Sequence, residues 1–203
     1  MSGNRTVESH GAASDEIDSD GMPIGASAAA PRPAPPGARF RPATSADETF
    51  FAALYASTRT EELALSGWPE PMQVAFLAQQ AGAQYAHYRR HYEDAEWWVL
   101  ERDGAAIGRL ILARWPSQHR IVDVALLTQA RGQGLGSAIL ARIVTEAEAA
   151  GKPVSIHVEK TNPAMRLYRR LGFAPVEDKG VYDLMMRPAG ASDAAACRRA
   201  PVS

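Results

Sequence analysis

A glycine-rich turn between an apolar run and a helical pattern constrains this chain more than any other feature. The turn at 131–136 reads RGQGLG, and the run at 120–127 before it is typical of a buried strand. After the turn, apolar residues recur on one helical face, namely Leu135, Ile139, Leu140, Ile143, Val144 and Ala147. Such a turn aims unpaired backbone N–H groups and the positive end of a helix at one point. We therefore expect an anion site here, in the first place for a phosphate.

Composition excludes several classes of protein. The 203 residues suffice for one domain with a sizeable core, and a formal net charge of −1 gives no basic field for nucleic acid or an anionic membrane. No apolar run approaches the ~18 residues of a membrane span. A single cysteine, Cys197, cannot form an internal disulfide, which favours a reducing compartment. We expect a soluble, cytoplasmic protein, monomeric or homodimeric, with no metal, nucleic-acid or membrane partner.

Both ends of the chain differ in composition from its middle. Residues 1–37 are rich in Ala, Pro, Gly, Ser and Asp, and 189–203 are similar. Such segments bury too little apolar surface to offset the entropy of ordering them. We predict a disordered tail over 1–37, a folded domain over 38–188 and a flexible tail over 189–203.

Patterning within the domain predicts the order β-α-α-β-β-β-α-β-α-β-β, a mixed α/β domain. The predicted strands cover 39–42, 96–101, 108–113, 120–127, 154–158, 173–176 and 181–186. The sixth is short or at an edge because it holds a proline. A capping box of Ser45 and Glu48 predicts where the first helix starts, and 58–68 is less regular. The other predicted helices cover about 71–91, 135–151 and 163–171.

Two familiar phosphate loops fit the turn poorly. A Walker loop needs lysine directly after its last glycine, whereas Gly136 is followed by Ser137 and Ala138. A Rossmann loop needs glycine at its first position and an acidic residue about 20 residues on. Arg131 occupies that first position, and the next strand begins at Val154 without an acidic residue. Both nucleotide interpretations are therefore weak.

A third interpretation is an Arg-x-x-Gly-x-Gly loop that holds a pyrophosphate. The stretch 123–136 resembles the acetyl-coenzyme A loop of the GNAT N-acetyltransferases, and NPAMRLYRRLGF at 162–173 resembles that family's Asn…Ala…Leu-Tyr…Leu-Gly-Phe segment. The order of elements over 39–187 also fits. The resemblance implies an α/β (α+β) fold, in which helices flank a mixed, mostly antiparallel sheet with splayed middle strands. It also implies acetyl-coenzyme A as co-substrate.

The resemblance assigns residues to the cofactor. It implies that the backbone of Val124, Ala125 and Leu126 pairs with the pantetheine arm like a partial strand. The loop residues expected at the pyrophosphate are Arg131, Gly132, Gln133, Gly134, Leu135, Gly136 and Ser137. Glycine there lets a phosphate approach the main chain closely. Asn162 and Tyr168 complete the set, although they lie six residues apart, where the family's commoner spacing is seven.

Acetyl transfer to an amine requires a neutral amine and a protonated leaving thiolate. By its place in the resemblance, Tyr168 is the expected acid. His157 is the first candidate base: it precedes Asn162 by five, where the ribosomal-protein alanine acetyltransferases of this superfamily carry a glutamate, and a neutral imidazole can accept a proton. Asp123, alone in an apolar strand, is a second candidate. Glu159 and backbone-held waters are further options.

The acceptor is expected to enter over the first two helices and the last hairpin. Candidate lining residues are Trp68, Tyr88, His91, Trp115 and Tyr182, and Glu61 and Glu62 either attract a cationic amine or form a solvated helix face. We therefore expect an N-acetyltransferase that moves an acetyl group from acetyl-coenzyme A directly to a primary amine of a small-molecule or peptide acceptor. The alternative is a non-catalytic acetyl-coenzyme A-binding sensor or adaptor, because no residue is a clear base.

Overall fold

The computed structural model describes residues 35, 37–64 and 66–190. Its strands are β1 (Arg39–Pro42), β2 (Glu96–Arg102), β3 (Ala105–Arg114), β4 (His119–Leu126), β5 (Val154–Glu159), β6 (Ala174–Lys179) and β7 (Tyr182–Arg187). Its helices are α1 (Glu48–Ala64), α2 (Glu70–His91), α3 (Leu135–Ala149) and α4 (Met165–Arg170). The predicted order of elements is confirmed. Cys197 and nearly all of the two predicted tails lie outside the described residues.

The seven strands form one sheet in the order β1-β2-β3-β4-β5-β7-β6. All neighbouring strands are antiparallel except β4 and β5, which pair in parallel at only three positions, from His119 opposite Val154 to Ile121 opposite Ile156. Beyond Ile121 the two strands diverge. We call the space between residues 122–126 of β4 and 157–159 of β5 the splay gap. The predicted mixed sheet with splayed middle strands is confirmed.

Each face of the sheet carries its own apolar cluster. On the α3 face, Ile139, Leu140 and Ile143 pack with strand residues such as Ile156 and with Tyr168 of α4. On the α1–α2 face, a second cluster joins Phe51 of α1 to the strand residues Trp97, Val99 and Ile111. Burial of these side chains holds the helices against the sheet. The splay gap thus opens between two firmly packed layers.

A β-bulge in β4 decides which side chains face which layer. Ile121 pairs with Leu112 and Asp123 with Ile111, so that Val122 is an extra residue in β4. Strict alternation would put Ile121 and Asp123 on the same face. Instead Ile121 and Val124 join the cluster on the α3 face, while Val122 joins the one on the α1–α2 face. Asp123 therefore faces α1 and α2 and stays out of the α3 core.

The cap before α1 differs from its prediction by one residue. A 3₁₀ turn at Ser45–Asp47 precedes α1, and Thr44, not Ser45, is its cap residue. The backbone N–H of Thr44 donates to the carboxylate of Asp47 over 2.8 Å. Asp47 is buried and bridges to Arg41 at 2.6 Å, which fixes its carboxylate at the cap. Glu48, predicted to close the capping box, instead accepts a hydrogen bond from the Tyr85 hydroxyl of α2. The predicted capping box of Ser45 and Glu48 is wrong, because Arg41 holds Asp47 at the cap and Tyr85 binds Glu48 instead.

Helix α1 is also longer than predicted. It continues through 58–64, where a less regular segment was expected. The hydroxyl of Thr58 donates to the carbonyl of Tyr55 over 2.7 Å, and that of Thr60 to the carbonyl of Ala56 over 2.8 Å. Both threonines thus satisfy their hydroxyls within the helix.

The last hairpin closes one edge of the sheet. β6 pairs only with β7, and all six of its residues are exposed, so the sixth strand is an edge strand as predicted, though longer than 173–176. None of the helices in the described part of the chain is long and apolar enough to cross a membrane.

Candidate functional site

The glycine turn leads directly into α3. Gly134 caps the helix with a φ of 79°, and Gly132 has a φ of 72°. Both conformations lie in the left-handed region, which side chains other than glycine adopt at a cost. No side chain caps the first turn of α3, and that turn carries no acidic residue. Its backbone N–H groups and the positive helix end are thus left for an external anion.

Gly136 is a glycine for a different reason. It lies within the first turn of α3, outside the positive-φ glycines, and a Cβ added there meets only Leu126 Cδ1, at 3.9 Å. The described part of the fold therefore has room for a methyl group at this position. A glycine that packing does not require keeps the main chain bare, as close approach by a phosphate would need. This open position fits the expected pyrophosphate.

Side chains of the turn brace it against its surroundings. Gln133 donates to the carbonyl of Gln129 over 2.7 Å and accepts from Arg102 of the β2–β3 hairpin over 2.5 Å. Arg131 donates from Nε to the carbonyl of Leu126 at the end of β4, over 2.9 Å. The bracing holds the turn next to the splay gap, and the main-chain N–H groups remain the obvious anion donors.

The end of β4 presents one free edge. Val124, Ala125 and Leu126 pair with β3 on one side, and none of them pairs with β5 on the other. The close contact with β3 depends on Gly108, because a Cβ there would lie 2.6 Å from Leu126 Cδ2 and 2.7 Å from the Ala125 carbonyl oxygen. The three residues predicted to pair with the pantetheine arm thus border the splay gap with their backbone.

Asp123 has a cationic partner that was not predicted from the sequence. Arg109 of β3 reaches its Oδ2 from Nε at 2.9 Å and from Nη2 at 2.7 Å. Arg109 is 4% exposed, donates to Gln84 of α2 over 3.1 Å, and lies 5.1 Å from the ring centroid of Phe51 in α1. The sequence feature that could have indicated this pair is a single arginine in one apolar strand followed by a single aspartate in the next.

Tyr168 of α4 belongs to the apolar cluster on the α3 face of the sheet, whereas Asp123 faces α1 and α2. Tyr168 is buried, and its ring is 5.9 Å from that of Phe173 in an edge-on contact. Burial and the negative charge of Asp123 raise the pKa of Tyr168 to about 12. The phenol therefore stays protonated at neutral pH and can act only as a proton or hydrogen-bond donor to a developing anion.

Val154, Ile156 and Val158 of β5 join the cluster on the α3 face, so alternation along the strand puts Ser155, His157 and Glu159 on the α1–α2 face. A guanidinium nitrogen of the buried Arg120 lies 2.6 Å from His157 Nδ1 and 3.2 Å from Nε2, and another donates to Ser155 over 3.1 Å. Partial burial, followed by the charges of Arg120 and Lys179, lowers the pKa of His157. The imidazole is therefore neutral at pH 7, because burial and the neighbouring cations disfavour its protonated form.

Glu159 ends β5 on the other border of the gap. It forms a salt bridge with Arg59 of α1, in which Nη1 lies 3.4 Å from Oε2. The hydroxyl of Tyr182, its cross-strand partner in β7, donates to Oε1 over 3.3 Å. Burial and the charge of Glu159 raise the pKa of Tyr182. A carboxylate, a phenol and a guanidinium from three elements meet here.

Asn162 opens the turn into α4. Its side-chain oxygen accepts a hydrogen bond from the backbone N–H of Ala164 over 2.8 Å, as in an Asx turn. This contact accounts for an asparagine at the start of the segment. Its role in cofactor binding stays a prediction.

The predicted acceptor-lining aromatics separate into two groups. Burial, and then the negative charge of Asp123, raises the pKa of Tyr88, and Tyr182 contacts Glu159. Elsewhere, Trp115 stacks on Tyr92, His91 on His87, and Trp68 meets Phe76 edge-on. Tyr88 and Tyr182 are therefore the two of these five residues that lie near the carboxylates of the gap. The side chains of Glu61 and Glu62 lie outside the described structure.

Within 37–64 and 66–190, no group of three or more histidine, cysteine, aspartate or glutamate residues could hold an ion.

Comparisons with known proteins bear on the family and the fold. Residues 52–173 match the model of the acetyltransferase (GNAT) family. Among solved structures, the PaiA N-acetyltransferase of Thermoplasma acidophilum in complex with coenzyme A is 13% identical, with a TM-score of 0.57 over 74% of this chain and 98% of that one. PH1933 of Pyrococcus horikoshii OT3 is 15% identical, with a TM-score of 0.55 over 75% and 99%.

A third structure, of histone acetyltransferase HPA2 and related acetyltransferase from Corynebacterium glutamicum, is 22% identical, with a TM-score of 0.54 over 76% of this chain and 97% of that one. No curated protein sequence matches this chain significantly. At these identities the likeness to solved structures is one of fold.

Proposed function

Because this chain belongs to the acetyltransferase (GNAT) family, we propose that it moves the acetyl group of acetyl-coenzyme A directly to a primary amine. Membership makes it an acyltransferase with acetyl-coenzyme A as co-substrate; the amine acceptor, the site residues and a cytoplasmic location are our proposals. The observation that carries the proposal is the uncapped start of α3, which borders a gap with one free strand edge.

The co-substrate would be held mainly by main-chain groups. The N–H groups of the turn and of the first residues of α3, through Ser137, would bind the pyrophosphate. The free edge of β4 at Val124, Ala125 and Leu126 would pair with the pantetheine arm. The bound group supplies an activated thioester. The bare main chain at Gly136 supports this assignment, because a Cβ there would point into otherwise open space.

Tyr168 would act on the leaving sulfur. A thiol with a pKa of ~8.5 is a stronger acid than this phenol, whose pKa is raised to about 12. Complete proton transfer from Tyr168 Oη to a free thiolate would therefore be uphill. We propose that Oη donates a hydrogen bond to the sulfur as negative charge develops there, which stabilises the transition state.

His157 would remove the proton that the nitrogen loses. Its lowered pKa makes it a poor base for a free ammonium, so the amine must arrive neutral. Once the nitrogen has bonded to the acyl carbon it is far more acidic, and a weak base then suffices. Asp123 is the second candidate for this role, although the buried Arg109 holds its carboxylate, as the buried Arg120 contacts His157.

The proposal is tested by thiol release from acetyl-coenzyme A with a panel of primary amines. Gly136→Glu should abolish both thiol release and calorimetric acetyl-coenzyme A binding, because it brings a bulky anion into the proposed phosphate site. Gly82→Glu is the matched control: this glycine is also helical, in α2, and a Cβ there meets nothing within 4 Å. Wild-type protein that fails to bind acetyl-coenzyme A would overturn the proposal.

A non-catalytic sensor is the second candidate. It is favoured by one observation, that each candidate base lies beside an arginine: His157 beside Arg120, Asp123 beside Arg109 and Glu159 beside Arg59. Saturable acetyl-coenzyme A binding without amine-dependent thiol release across the panel would support the sensor over the enzyme.

A further inference from the structure

Two carboxylates flank the splay gap on the α1–α2 face, and each is paired with an arginine. Asp123 stands on β4 with Arg109, and Glu159 stands on β5 with Arg59. We propose that Glu159 binds a second, non-reacting ammonium group of the acceptor, and that Arg59 holds this place until the acceptor replaces it. The inference rests on the proposed amine acetylation and names the class of amine.

The two arginines differ in how readily they can leave. Arg109 is 4% exposed, so its departure would separate a buried charge from its partner. The side chain of Arg59 is 32% exposed, and that of Glu159 is 23% exposed. Ion pairs that reach solvent contribute little to stability, because water competes for both charges. An incoming cation can therefore exchange with Arg59 but not with Arg109.

The chemistry of Glu159 selects a cation. With Arg59 displaced, the hydrogen bond from Tyr182 is the one contact of this carboxylate that the described residues still provide. A neutral group would leave a partly buried charge unpaired, whereas an ammonium restores the pair. The same face carries the Arg120 guanidinium beside His157, which repels a cation. A positive group is thus directed to Glu159 and away from the proposed base.

The bound ammonium cannot be the reacting nitrogen, because a protonated amine has no lone pair with which to attack. The acceptor must therefore carry a second amine that reacts in its neutral form. Tyr182, exposed at the start of β7, offers an aromatic surface beside Glu159 on which an alkyl chain or a cation can rest. The site thus fits a primary amine with a further cationic group, such as an alkyl diamine.

Steady-state kinetics with a matched pair of acceptors tests this inference. The probes are 1,4-diaminobutane and 4-aminobutan-1-ol, in which a hydroxyl replaces the second amine. Glu159→Gln should raise KM for the diamine about tenfold relative to KM for the amino alcohol, because only the diamine loses a charge-assisted contact. Arg59→Gln should lower KM for the diamine, because the competing cation is gone.

Glu146→Gln serves as the control, since it also removes a partly exposed carboxylate from an arginine, Arg114, on the α3 side. An unchanged diamine KM in Glu159→Gln, equal effects on both acceptors, or no fall in KM with Arg59→Gln would each overturn the inference.

A binding measurement separates this inference from the proposed function. Calorimetry with 1,4-diaminobutane in the presence of coenzyme A needs no turnover. Binding to wild type but not to Glu159→Gln supports the ammonium site even if no amine is acetylated, in which case only the proposed function fails. Equal binding to both proteins overturns the site, whatever the turnover.

Discussion

Arg109 and Asp123 form a salt bridge of 2.7 Å between β3 and β4, beside the bulge at Val122. The bulge turns the aspartate away from the α3 core, and the buried guanidinium meets it on the other face. Because Arg109 also contacts Gln84 of α2 and Phe51 of α1, it ties both helices to the border of the splay gap. Stability and the geometry of the site therefore depend on the same ion pair.

Removing one partner of this pair should be costly. Asp123→Asn leaves the Arg109 charge buried without its partner, and we expect a loss of about 3 kcal/mol in the free energy of unfolding. Urea denaturation measures it. Arg39→Met is the control, because it removes a largely exposed partner of Glu101 and should cost less than about 1 kcal/mol. Similar losses in the two variants would show that burial does not strengthen the Arg109–Asp123 pair.

The glycines of the turn should separate stability from binding. Gly134→Ala puts a side chain at a φ of 79° and should destabilise the protein by about 1 kcal/mol. Gly136→Ala has room and replaces a helical glycine, so it should stabilise the protein by about 0.5 kcal/mol. It should nevertheless weaken acetyl-coenzyme A binding in calorimetry. Unaltered affinity in Gly136→Ala would mean that no ligand approaches the main chain there.

Tyr168 should act without titrating in the working range. Since its pKa is raised to about 12, the hydroxyl keeps its proton up to pH 10. Deprotonation of Tyr168 should therefore cause no fall in kcat between pH 7 and 10. Tyr168→Phe should lower kcat about 100-fold at every pH in this range. Calorimetric acetyl-coenzyme A affinity should stay within about twofold. A loss confined to affinity would identify Tyr168 as a packing residue instead.

His157 should make stability depend on pH. Its pKa in the folded protein is lowered below the ~6.5 of the unfolded chain, so the unfolded state binds more protons at mildly acid pH. The free energy of unfolding should rise with pH from about 5 to 7 and level off above. His119, whose pKa burial also lowers, adds to this slope. His157→Gln should flatten it, as denaturation at several pH values will measure.

An NMR titration of the His157 ring checks the cause directly. Arg120→Met should raise the pKa of His157, because it removes the nearest cation. A pKa of 6.5 or above in the wild-type protein would contradict both expectations.

Local patterns predicted those parts of the fold that depend on neighbouring residues. The turn at 131–136, the helix after it and the alternation of Ser155, His157 and Glu159 follow from spacing within a few residues. The capping box at Ser45 and Glu48 was wrong because Arg41 and Tyr85, from other elements, select the carboxylates at that helix start. Propensity near 58–64 was misleading for a related reason, since helix α1 satisfies its threonine hydroxyls internally.

By itself, the sequence determined the glycine turn at 131–136, the segment at 162–173 and hence the family, because each motif consists of contiguous residues. Only the tertiary structure decided which charged residues pair around the splay gap. Arg59 and Glu159 stand 100 residues apart, and Arg109 meets Asp123 only because a bulge shifts the register of β4. Side-chain periodicity carries no information on strand register or on partners in distant elements. Pairing of distant charges is therefore decided when the sheet assembles.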